Sequence, residues 1–255
     1  MEENIKIFGV KINKTTLDGA INKVKEFLKS NDNNPKAIYT PNTEIVMAAK
    51  DDNFLRKIIN DGDLVIADGI GLIYASKIKK RPLPERVTGF DLSIEMLKLA
   101  NKEKYNVFLL GGKEGVAKQA KENIIKEYPN VNIVGFHNGY FKGTHISQPG
   151  HNEEKKVIEE INKSGAHMLF VGLGAPKQEK WIHENKDKLN CKVIIGNGGT
   201  MDILAGMVKR APDIYQKLGL EWFYRLIKDP KRIKRQMVLP LFMFKILFSS
   251  QDVIE

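Results

Sequence analysis

A carboxylate directly after a short apolar run is the first feature with the chemistry of an active site. Residues 64–67 are apolar, as in a buried strand, and Asp68 follows them, with Gly69 and Gly71 close behind. Open α/β sheets bind ligands at the carboxyl ends of their strands, and glycine lets a backbone and a ligand approach closely. Asp68 is therefore our candidate catalytic residue. The alternative is an Asx turn that only ends the strand.

Other polar residues follow predicted strands in the same way. Thr40 and Asn42 lie where the strand predicted at residues 36–40 gives way to a helix, although Asn42 is also a good helix N-cap. Gln178 and Glu179 begin another helix, where they either bind ligand hydroxyls or serve the first helical turn. The sequence alone leaves both alternatives open.

Glycine-rich segments follow three predicted strands, at residues 111–115, 172–174 and 196–199. Backbone N–H groups in such loops, with helix N-termini behind them, favour phosphate. None of the segments is a complete G-x-G-x-x-G or a P-loop, and each alone is typical of a turn. Three on one sheet edge predict a nucleotide or sugar-nucleotide site, with the candidate binding residues Gly111, Gly174, Gly198 and Gly199.

No pattern in the sequence predicts a metal centre or another cofactor. Asp61-Gly62-Asp63 resembles a metal-binding D-x-D motif, but it precedes the predicted strand and so falls at the wrong sheet edge. We interpret it as a turn between a helix and a strand. The five histidines and the single cysteine have no metal-ligand spacing.

Half of the net charge of +10 lies in residues 225–235, which hold six basic residues and one acid. Such a patch indicates an anionic partner. Arg225, Arg232 and Arg235 either converge on a diphosphate or form a solvated basic face, and Pro230 interrupts their helix. The apolar residues 238–244 beside them favour a membrane surface; the alternative is a core or dimer helix.

Strand, loop and helix alternate along most of the chain, with predicted strands at residues 36–40, 64–67, 106–110, 131–136, 167–171 and 192–195. This alternation predicts a Rossmann-like, doubly wound α/β fold with a mostly parallel sheet and a C-terminal helical appendage. Residues 5–12 read as a strand or a small hairpin kinked at Gly9. We place an α/β catalytic domain at residues 1–209 and a basic, amphipathic membrane-binding appendage at 210–255.

Length and composition are those of a globular protein, with 255 residues of which 42% are hydrophobic. The single cysteine excludes an internal disulfide and fits a reducing compartment. No apolar run approaches the roughly 20 residues that span a bilayer. We expect a cytoplasmic protein bound peripherally to the inner face of the cell membrane, and a homodimer when it is off the membrane.

Taken in order, these motifs resemble the WecG/TagA/CpsF family of bacterial glycosyltransferases. The resemblance spans nearly the whole chain, in blocks at residues 40–44, 63–71, 82–89, 109–112, 139–141, 172–179, 196–199 and 209–222. It is closest to the TagA branch. Those enzymes transfer N-acetylmannosamine from UDP to the 4-hydroxyl of undecaprenyl-diphosphate-linked N-acetylglucosamine, in wall teichoic acid linkage-unit synthesis. Other branches use other UDP-sugars, such as N-acetylmannosaminuronic acid or glucose, for exopolysaccharide or common-antigen synthesis.

The resemblance implies an inverting, metal-independent transfer with Asp68 as the general base. It also implies two further groups of site residues: pocket residues at Thr40, Asn42, Arg86 and Gln178, and appendage residues that complete the site at the membrane, at Arg225, Arg232 and Arg235. Residues 144–151 look inserted relative to the family pattern, so the resemblance implies no role for the loop at 137–152.

Two other classes of function fit the residues less well. Nucleic-acid binding through the basic tail predicts a steep salt dependence, but the RNP-type aromatic motif is absent, so we expect no nucleic-acid partner. A nicotinamide oxidoreductase requires a dinucleotide fingerprint and an acidic ribose partner, and the chain has neither at the expected spacing.

Overall fold

A computed structural model of the chain describes residues 3–32, 34–249 and 253–254, without the side chains of residues 232 and 234. Its strands are β1 (Asn4–Ile7), β2 (Val10–Asn13), β3 (Lys36–Tyr39), β4 (Leu64–Val65), β5 (Asn106–Gly111), β6 (Asn132–His137), β7 (Met168–Gly172) and β8 (Val193–Gly196). Its helices are α1 (Leu17–Lys29), α2 (Thr43–Asp51), α3 (Asn53–Asn60), α4 (Ile70–Ile78), α5 (Gly89–Glu103), α6 (Val116–Glu127), α7 (Asn152–Lys163), α8 (Lys177–Asn185), α9 (Gly198–Leu204), α10 (Asp213–Lys217), α11 (Glu221–Lys228), α12 (Ile233–Gln236) and α13 (Val238–Phe248).

The main sheet has six strands, all parallel, in the order β4-β3-β8-β7-β5-β6. A separate antiparallel hairpin, β1-β2, precedes it and turns at Phe8 and Gly9, both with positive φ. The Rossmann-like, doubly wound parallel sheet is therefore confirmed. The hairpin at residues 5–12, kinked at Gly9, is confirmed as well.

The sheet is buried on both faces, which is why its strands are continuous apolar runs. Along β5, Phe108 and Leu110 pack into one core layer, whereas Val107 and Leu109 pack into the other. Buried side chains of α1, α5, α6 and α9 belong to the second layer, and those of α2, α3, α4, α7, α8 and α13 to the first. Helices therefore cover both faces, as a doubly wound sheet requires.

The chain leaves β3 and β8, two neighbouring strands, in opposite directions. After β3 it passes through α2 and α3 to β4, on one side of this pair. After β8 it enters α9, which packs on α6 and β7 on the other side. Open α/β sheets bind ligands in the crevice outside such a switch point. Thr40 and Asn197, the first residues beyond these strands, therefore lie at its edge.

The strand predicted at residues 64–67 is shorter than expected, because β4 has only two residues. The backbone nevertheless continues beside β3. Ile66 donates its N–H to the carbonyl oxygen of Tyr39 at 3.0 Å, and Asp68 donates its N–H to that of Pro41 at 3.2 Å. The prediction was right about the place of the strand and wrong about its length.

One glycine-rich segment also differs from the sequence prediction. α9 begins at Gly198, so Gly198 and Gly199 form its first turn instead of a loop. α13 is continuous although it contains Pro240. Pro240 lies in its first turn, where a backbone N–H has no helical partner to lose, so proline does not interrupt the helix there.

The C-terminal helices pack on the α/β sheet layers. α13 contacts α2 and α4, and it buries Phe242 and Ile246 completely in the same core layer as the hairpin. The Phe242 ring meets that of Phe8 edge to face, with centroids 5.7 Å apart. The domain boundary at residue 210 stays a prediction. Among the described residues, no helix is both long enough and apolar enough to cross a bilayer.

Candidate active site

Asp68 lies between β4 and α4 in the chain, and in space it lies beside the start of α5. Its backbone N–H donates to the carbonyl oxygen of Pro41 at 3.2 Å, which ties it to the chain leaving β3. The backbone N–H of Gly89, the first residue of α5, acts to lower the pKa of the Asp68 carboxyl. Thr88 is the N-cap of that helix, and its Oγ1 accepts the N–H of Asp91 at 3.0 Å. A helix N-terminus of this kind favours a negative charge.

A cavity of about 150 Å³ lies over Asp68. From the α/β portion it is lined by Asn42 and Arg86, and from the C-terminal helices by Glu221 and Arg225. The end of β4 and the helices after residue 210 thus form one site together.

The pKa of Asp68 is raised from 3.8 to about 6, chiefly because burial disfavours its charged form. The neighbouring charges act in both directions: Arg225 and Arg86 lower this pKa, and Glu221 raises it. The side chain is partly exposed, toward the cavity that it lines. A carboxyl that gains and loses its proton near neutral pH at a cavity wall is suited to general acid–base work.

Two of the three predicted appendage arginines reach the cavity. Arg225 lies on α11 and Arg235 on α12, and both line it. Arg235 forms a bidentate ion pair with Glu44 of α2, in which Nε lies 2.8 Å from Oε1 and Nη2 lies 3.1 Å from Oε2. The side chain of Arg232 lies outside the described part of the structure.

Asn42 and Thr40 hold different places at the end of β3. Asn42 lines the cavity and also caps α2, because its Oδ1 accepts the N–H of Ile45 at 3.0 Å. Thr40 is buried and donates its hydroxyl to the carbonyl oxygen of Gly196 at 3.3 Å, across the switch point from β3 to β8. Of the predicted pocket residues, Asn42 and Arg86 therefore lie beside Asp68, whereas Thr40 faces β8.

Gln178 lies at the end of β8 rather than in the lining of the Asp68 cavity. Its amide packs against Gly196 and Gly198, and its Nε2 donates to Oε1 of Glu179 at 3.0 Å. Both side chains are buried, and Gln178 Oε1 and Glu179 Oε2 have no hydrogen-bond partner among the described residues. Burial raises the pKa of Glu179 from 4.5 to about 7.

The four candidate glycines differ in what surrounds them. Gly111 packs so closely on Gly172 that a Cβ would overlap the Gly172 backbone, so it serves strand packing. Gly174 and Gly199 face open space, with no atom within 4 Å of a hypothetical Cβ. Gly198 lies next to both Gly174 and the Gln178 amide. Open glycine backbone is thus present at the ends of β7 and β8, where a ligand phosphate can approach it.

Asp61 and Asp63 lie at the opposite, amino-terminal edge of the sheet. Asp63 accepts the N–H of Ala37 on Oδ2 at 2.9 Å and lies 3.7 Å from the Lys36 ammonium, so it links the start of β3 to the turn after α3. In the described ranges, no group of three or more His, Cys, Asp or Glu side chains is arranged to hold a metal ion.

The loop at residues 137–152 is anchored by a buried carboxylate. Glu154 of α7 accepts the N–H of Thr144 at 2.8 Å and that of Gly150 at 2.9 Å. The His145 ring is buried against Phe141, with ring centroids 4.4 Å apart. The stretch that looks inserted is therefore tied to the first turn of α7.

The sequence predictions did not single out Glu221 and Arg210, which the fold brings to the site. Glu221 Oε2 lies 2.7 Å from Arg86 Nη2. Arg210 Nη1 lies 2.7 Å from Asp91 Oδ1, near the start of α5. The one local signal was the four-residue spacing from Glu221 to Arg225, which is typical of a helical ion pair. No local pattern relates Glu221 to Arg86.

The arrangement combines a proton acceptor with fixed cations. Asp68 can take a proton from a hydroxyl, and Arg86, Arg225 and Arg235 present guanidinium groups to the same cavity. Guanidinium groups bind phosphate and carboxylate oxygens through paired hydrogen bonds. The site therefore suits a substrate that carries both a reactive hydroxyl and a phosphate group.

Comparison with known proteins identifies relatives over nearly the whole chain. Proteins of Staphylococcus aureus strains MRSA252, MW2 and NCTC 8325 / PS 47 are named N-acetylglucosaminyldiphosphoundecaprenol N-acetyl-beta-D-mannosaminyltransferase. Each is 36% identical over 249 residues, which cover 98% of this chain and 94% of the relative. Residues 5–252 match the profile described as the Glycosyl transferase WecG/TagA/CpsF family. Because that match covers almost all of the chain, the protein belongs to the WecG/TagA/CpsF family of glycosyltransferases.

Proposed function

We propose that this glycosyltransferase moves N-acetylmannosamine from UDP to the 4-hydroxyl of undecaprenyl-diphosphate-linked N-acetylglucosamine, in wall teichoic acid linkage-unit synthesis. The transfer inverts the sugar and uses no metal. The names of the relatives support the sugar and the acceptor. The observation that carries the proposal is the cavity in which Asp68, with its pKa near 6, lies beside Arg86 and Arg225.

In the proposed step, Asp68 accepts the proton of the acceptor hydroxyl while the hydroxyl oxygen attacks the anomeric carbon. The new carbon–oxygen bond forms on the face opposite UDP. The bond from the anomeric carbon to the diphosphate oxygen breaks, and its electron pair leaves with UDP. Attack opposite the leaving group inverts the anomeric configuration. A positioned general base contributes about 10²–10⁴-fold to such a rate.

The departing diphosphate needs positive charge as it leaves. Arg86 and Arg225 supply guanidinium groups at the cavity, and the open backbone at Gly174 and Gly199 supplies N–H groups at the ends of β7 and β8. Fixed donors of this kind stabilise charge that develops in the transition state. In the proposal these groups replace a metal ion. Arg235 and Arg232 bind the diphosphate of the acceptor.

An exposed apolar face on α13 supports an acceptor that is held in a membrane. Its members are Leu241, Phe244, Leu247 and Phe248, which are 49%, 58%, 57% and 75% exposed. The Lys79 ammonium donates to the carbonyl oxygen of Ser249 at 2.8 Å, which places the basic segment 77–81, with four basic residues, beside the end of α13. Apolar side chains flanked by basic ones favour the surface of an anionic membrane. We propose peripheral binding there, at the inner face of the cell membrane.

A panel of UDP-sugars, offered with a short-chain lipid-diphosphate N-acetylglucosamine acceptor, tests the proposal. We expect turnover with UDP-N-acetylmannosamine and a 4-linked product of inverted configuration, read by NMR. Preference for UDP-N-acetylmannosaminuronic acid or UDP-glucose would contradict the donor, and a retained configuration would contradict the mechanism. Turnover that EDTA abolishes and a divalent metal restores would contradict metal independence.

A further inference from the structure

Glu221 lies among three arginines that come from separate parts of the chain. Its Oε2 is 2.7 Å from Arg86 Nη2, in the loop between α4 and α5. Its Oε1 is 3.8 Å from Arg225 Nη2, one turn later on α11, and 3.9 Å from Arg210 Nε. The Glu221 side chain is only 13% exposed. One carboxylate thus joins the α/β domain to the helices after residue 210.

These three arginines are not equally dependent on Glu221. Arg210 has a closer anion, because its Nη1 lies 2.7 Å from Asp91 and its guanidinium stacks on the Phe90 ring at 4.6 Å. Arg86 and Arg225 line the cavity with Asp68, and Glu221 is the carboxylate paired with them there. Glu221 is therefore placed to orient the two guanidinium groups that face the reacting atoms.

The charges that face Asp68 come from two elements. Arg86 comes from the loop before α5, and Arg225 and Glu221 come from α11. The Arg235–Glu44 ion pair, from α12 and α2, lines the same cavity, and its two opposite charges neutralise each other. Around Asp68, Glu221 thus opposes the charge of Arg86 and Arg225.

We propose that Glu221 is a positioning residue that holds Arg86 and Arg225 in the site as their internal counter-anion. In this role it limits how strongly the two arginines stabilise the charged form of Asp68. It also limits how tightly they bind a diphosphate. A site without this carboxylate would bind diphosphate more tightly and would have a weaker base. The role of Asp68 in this inference rests on the proposed function.

Glu221→Gln tests the inference, since a glutamine keeps the oxygen that accepts from Arg86 and loses the charge. We expect the pKa of Asp68 to fall by about one unit, because the lowering effect of Arg86 and Arg225 is no longer opposed. The carboxyl resonance of Asp68, assigned with Asp68→Asn, gives this pKa by ¹³C NMR. The acidic limb of kcat/KM should move to lower pH by the same amount.

Inorganic pyrophosphate is the second probe, measured by calorimetry. We expect Glu221→Gln to bind it on the order of tenfold more tightly, since one opposing charge is removed from a half-buried site. Asp213→Asn, at an exposed acid on α10, is the matched control for net charge and should leave both readings unchanged. An unchanged Asp68 pKa and pyrophosphate affinity in Glu221→Gln would overturn the inference.

If Glu221→Gln does not fold, the double variant with Glu221→Gln and Arg86→Gln tests the inference instead, because it removes both charges of the Glu221–Arg86 ion pair. We expect its affinity for pyrophosphate to lie within about twofold of that of the unaltered protein, because the lost attraction by Arg86 and the lost repulsion by Glu221 nearly cancel. Binding as weak as that of Arg86→Gln alone would overturn the inference. Turnover retained in Asp68→Asn would contradict the general base instead and would leave the pyrophosphate result standing.

Discussion

Asp68 and Glu179 are both carboxyls whose pKa is raised by burial, but their surroundings differ. Asp68 lines a cavity and has Arg86 and Arg225 beside it. Glu179 is 1% exposed, and among the described residues its carboxylate accepts a hydrogen bond from the uncharged amide of Gln178. Carboxyls with shifted pKa values mark functional sites more often than ordinary surfaces. At the residue scale, we therefore expect Asp68 to affect both turnover and stability, and Glu179 to affect the pH dependence of stability.

Asp68→Asn should abolish most turnover and stabilise the protein at the same time. Because folding raises the pKa of Asp68 from 3.8 to about 6, the folded state binds this proton more tightly, and stability falls as pH rises through that interval. Asparagine carries no such penalty, so we expect a gain on the order of 2 kcal/mol at pH 7.5. Turnover should drop about 10²–10⁴-fold. Urea unfolding and a fixed-donor assay measure the two effects.

Asp61→Asn is the control for that change, because Asp61 is exposed at the other edge of the sheet. It should retain turnover. An Asp68→Asn protein with nearly full turnover and intact donor binding would show that Asp68 is not the base.

Glu179→Gln should stabilise the protein increasingly as pH rises from about 4.5 to about 7. The folded-state pKa near 7 exceeds the unfolded value of 4.5, so the stability contributed by the protonated form is complete below pH 4.5 and is lost as pH rises through 7. We expect Glu179→Gln to be on the order of 3 kcal/mol more stable than the unaltered protein at pH 8. At pH 5 the difference should be much smaller.

Glu184→Gln is the matched control, since Glu184 is exposed on the same helix. Urea unfolding at pH 5 and pH 8 compares the three proteins. A Glu179→Gln difference of the same size at both pH values would show that Glu179 is not a buried carboxyl with a raised pKa.

At the scale of elements, α13 holds the C-terminal helices on the sheet layers. One face of it buries Phe242 and Ile246, and Leu239 fits against Gly71 of α4. The opposite face exposes Phe244 and Phe248, whose ring centroids are 4.5 Å apart. Apart from Lys245 the helix is apolar, because it has a core-facing side and a second apolar side that the described residues leave exposed.

Phe242→Ala and Phe244→Ala separate these two faces. Removing the buried ring leaves a cavity next to Phe8, so we expect Phe242→Ala to lower the free energy of unfolding by about 3–5 kcal/mol. Phe244 is 58% exposed, and its loss should change stability by at most about 0.5 kcal/mol. Chemical unfolding measures both. Equal effects of the two substitutions would show that α13 does not dock through Phe242.

For the whole molecule, the proposed membrane surface comprises the exposed side of α13 and the basic segment 77–81 beside its end. Because Phe242 and Ile246 belong to the main core, cutting the chain at residue 212 would expose that core as well as remove the surface. Substitutions on the full chain are therefore the cleaner test of membrane binding.

A full-length protein with Phe244, Leu247 and Phe248 all changed to Ser should float with anionic liposomes far less than the unaltered protein. Lys77→Glu with Lys80→Glu should weaken flotation in low salt and matter less in high salt, because surface charges are screened. Ile125→Ser, on α6 in the opposite layer, is the control. Equal flotation of all variants would contradict the proposed surface.

The sequence by itself determined the repeating units of the fold and the polar residues at their ends. The periodicity of buried strands and the strand-to-helix junctions are local, so they predicted the doubly wound sheet and singled out Asp68 and Asn42. The local run of basic residues singled out Arg225. The sequence did not predict where the short elements begin and end. β4 ends after two residues, and Gly198 begins a helix, because backbone pairing with β3 and helix nucleation depend on neighbours outside the segment.

Only the tertiary structure decided which of these residues meet. Arg86 and Glu221 are 135 residues apart, and Thr40 and Gly196 are 156 residues apart, yet each pair is hydrogen-bonded. The Glu221–Arg86 ion pair joins α11 to the loop before α5, and α13 packs on α2 and α4. The switch point between β3 and β8 brings Thr40 to Gly196. Contacts over such separations depend on how whole elements pack together, and no local period or spacing encodes them.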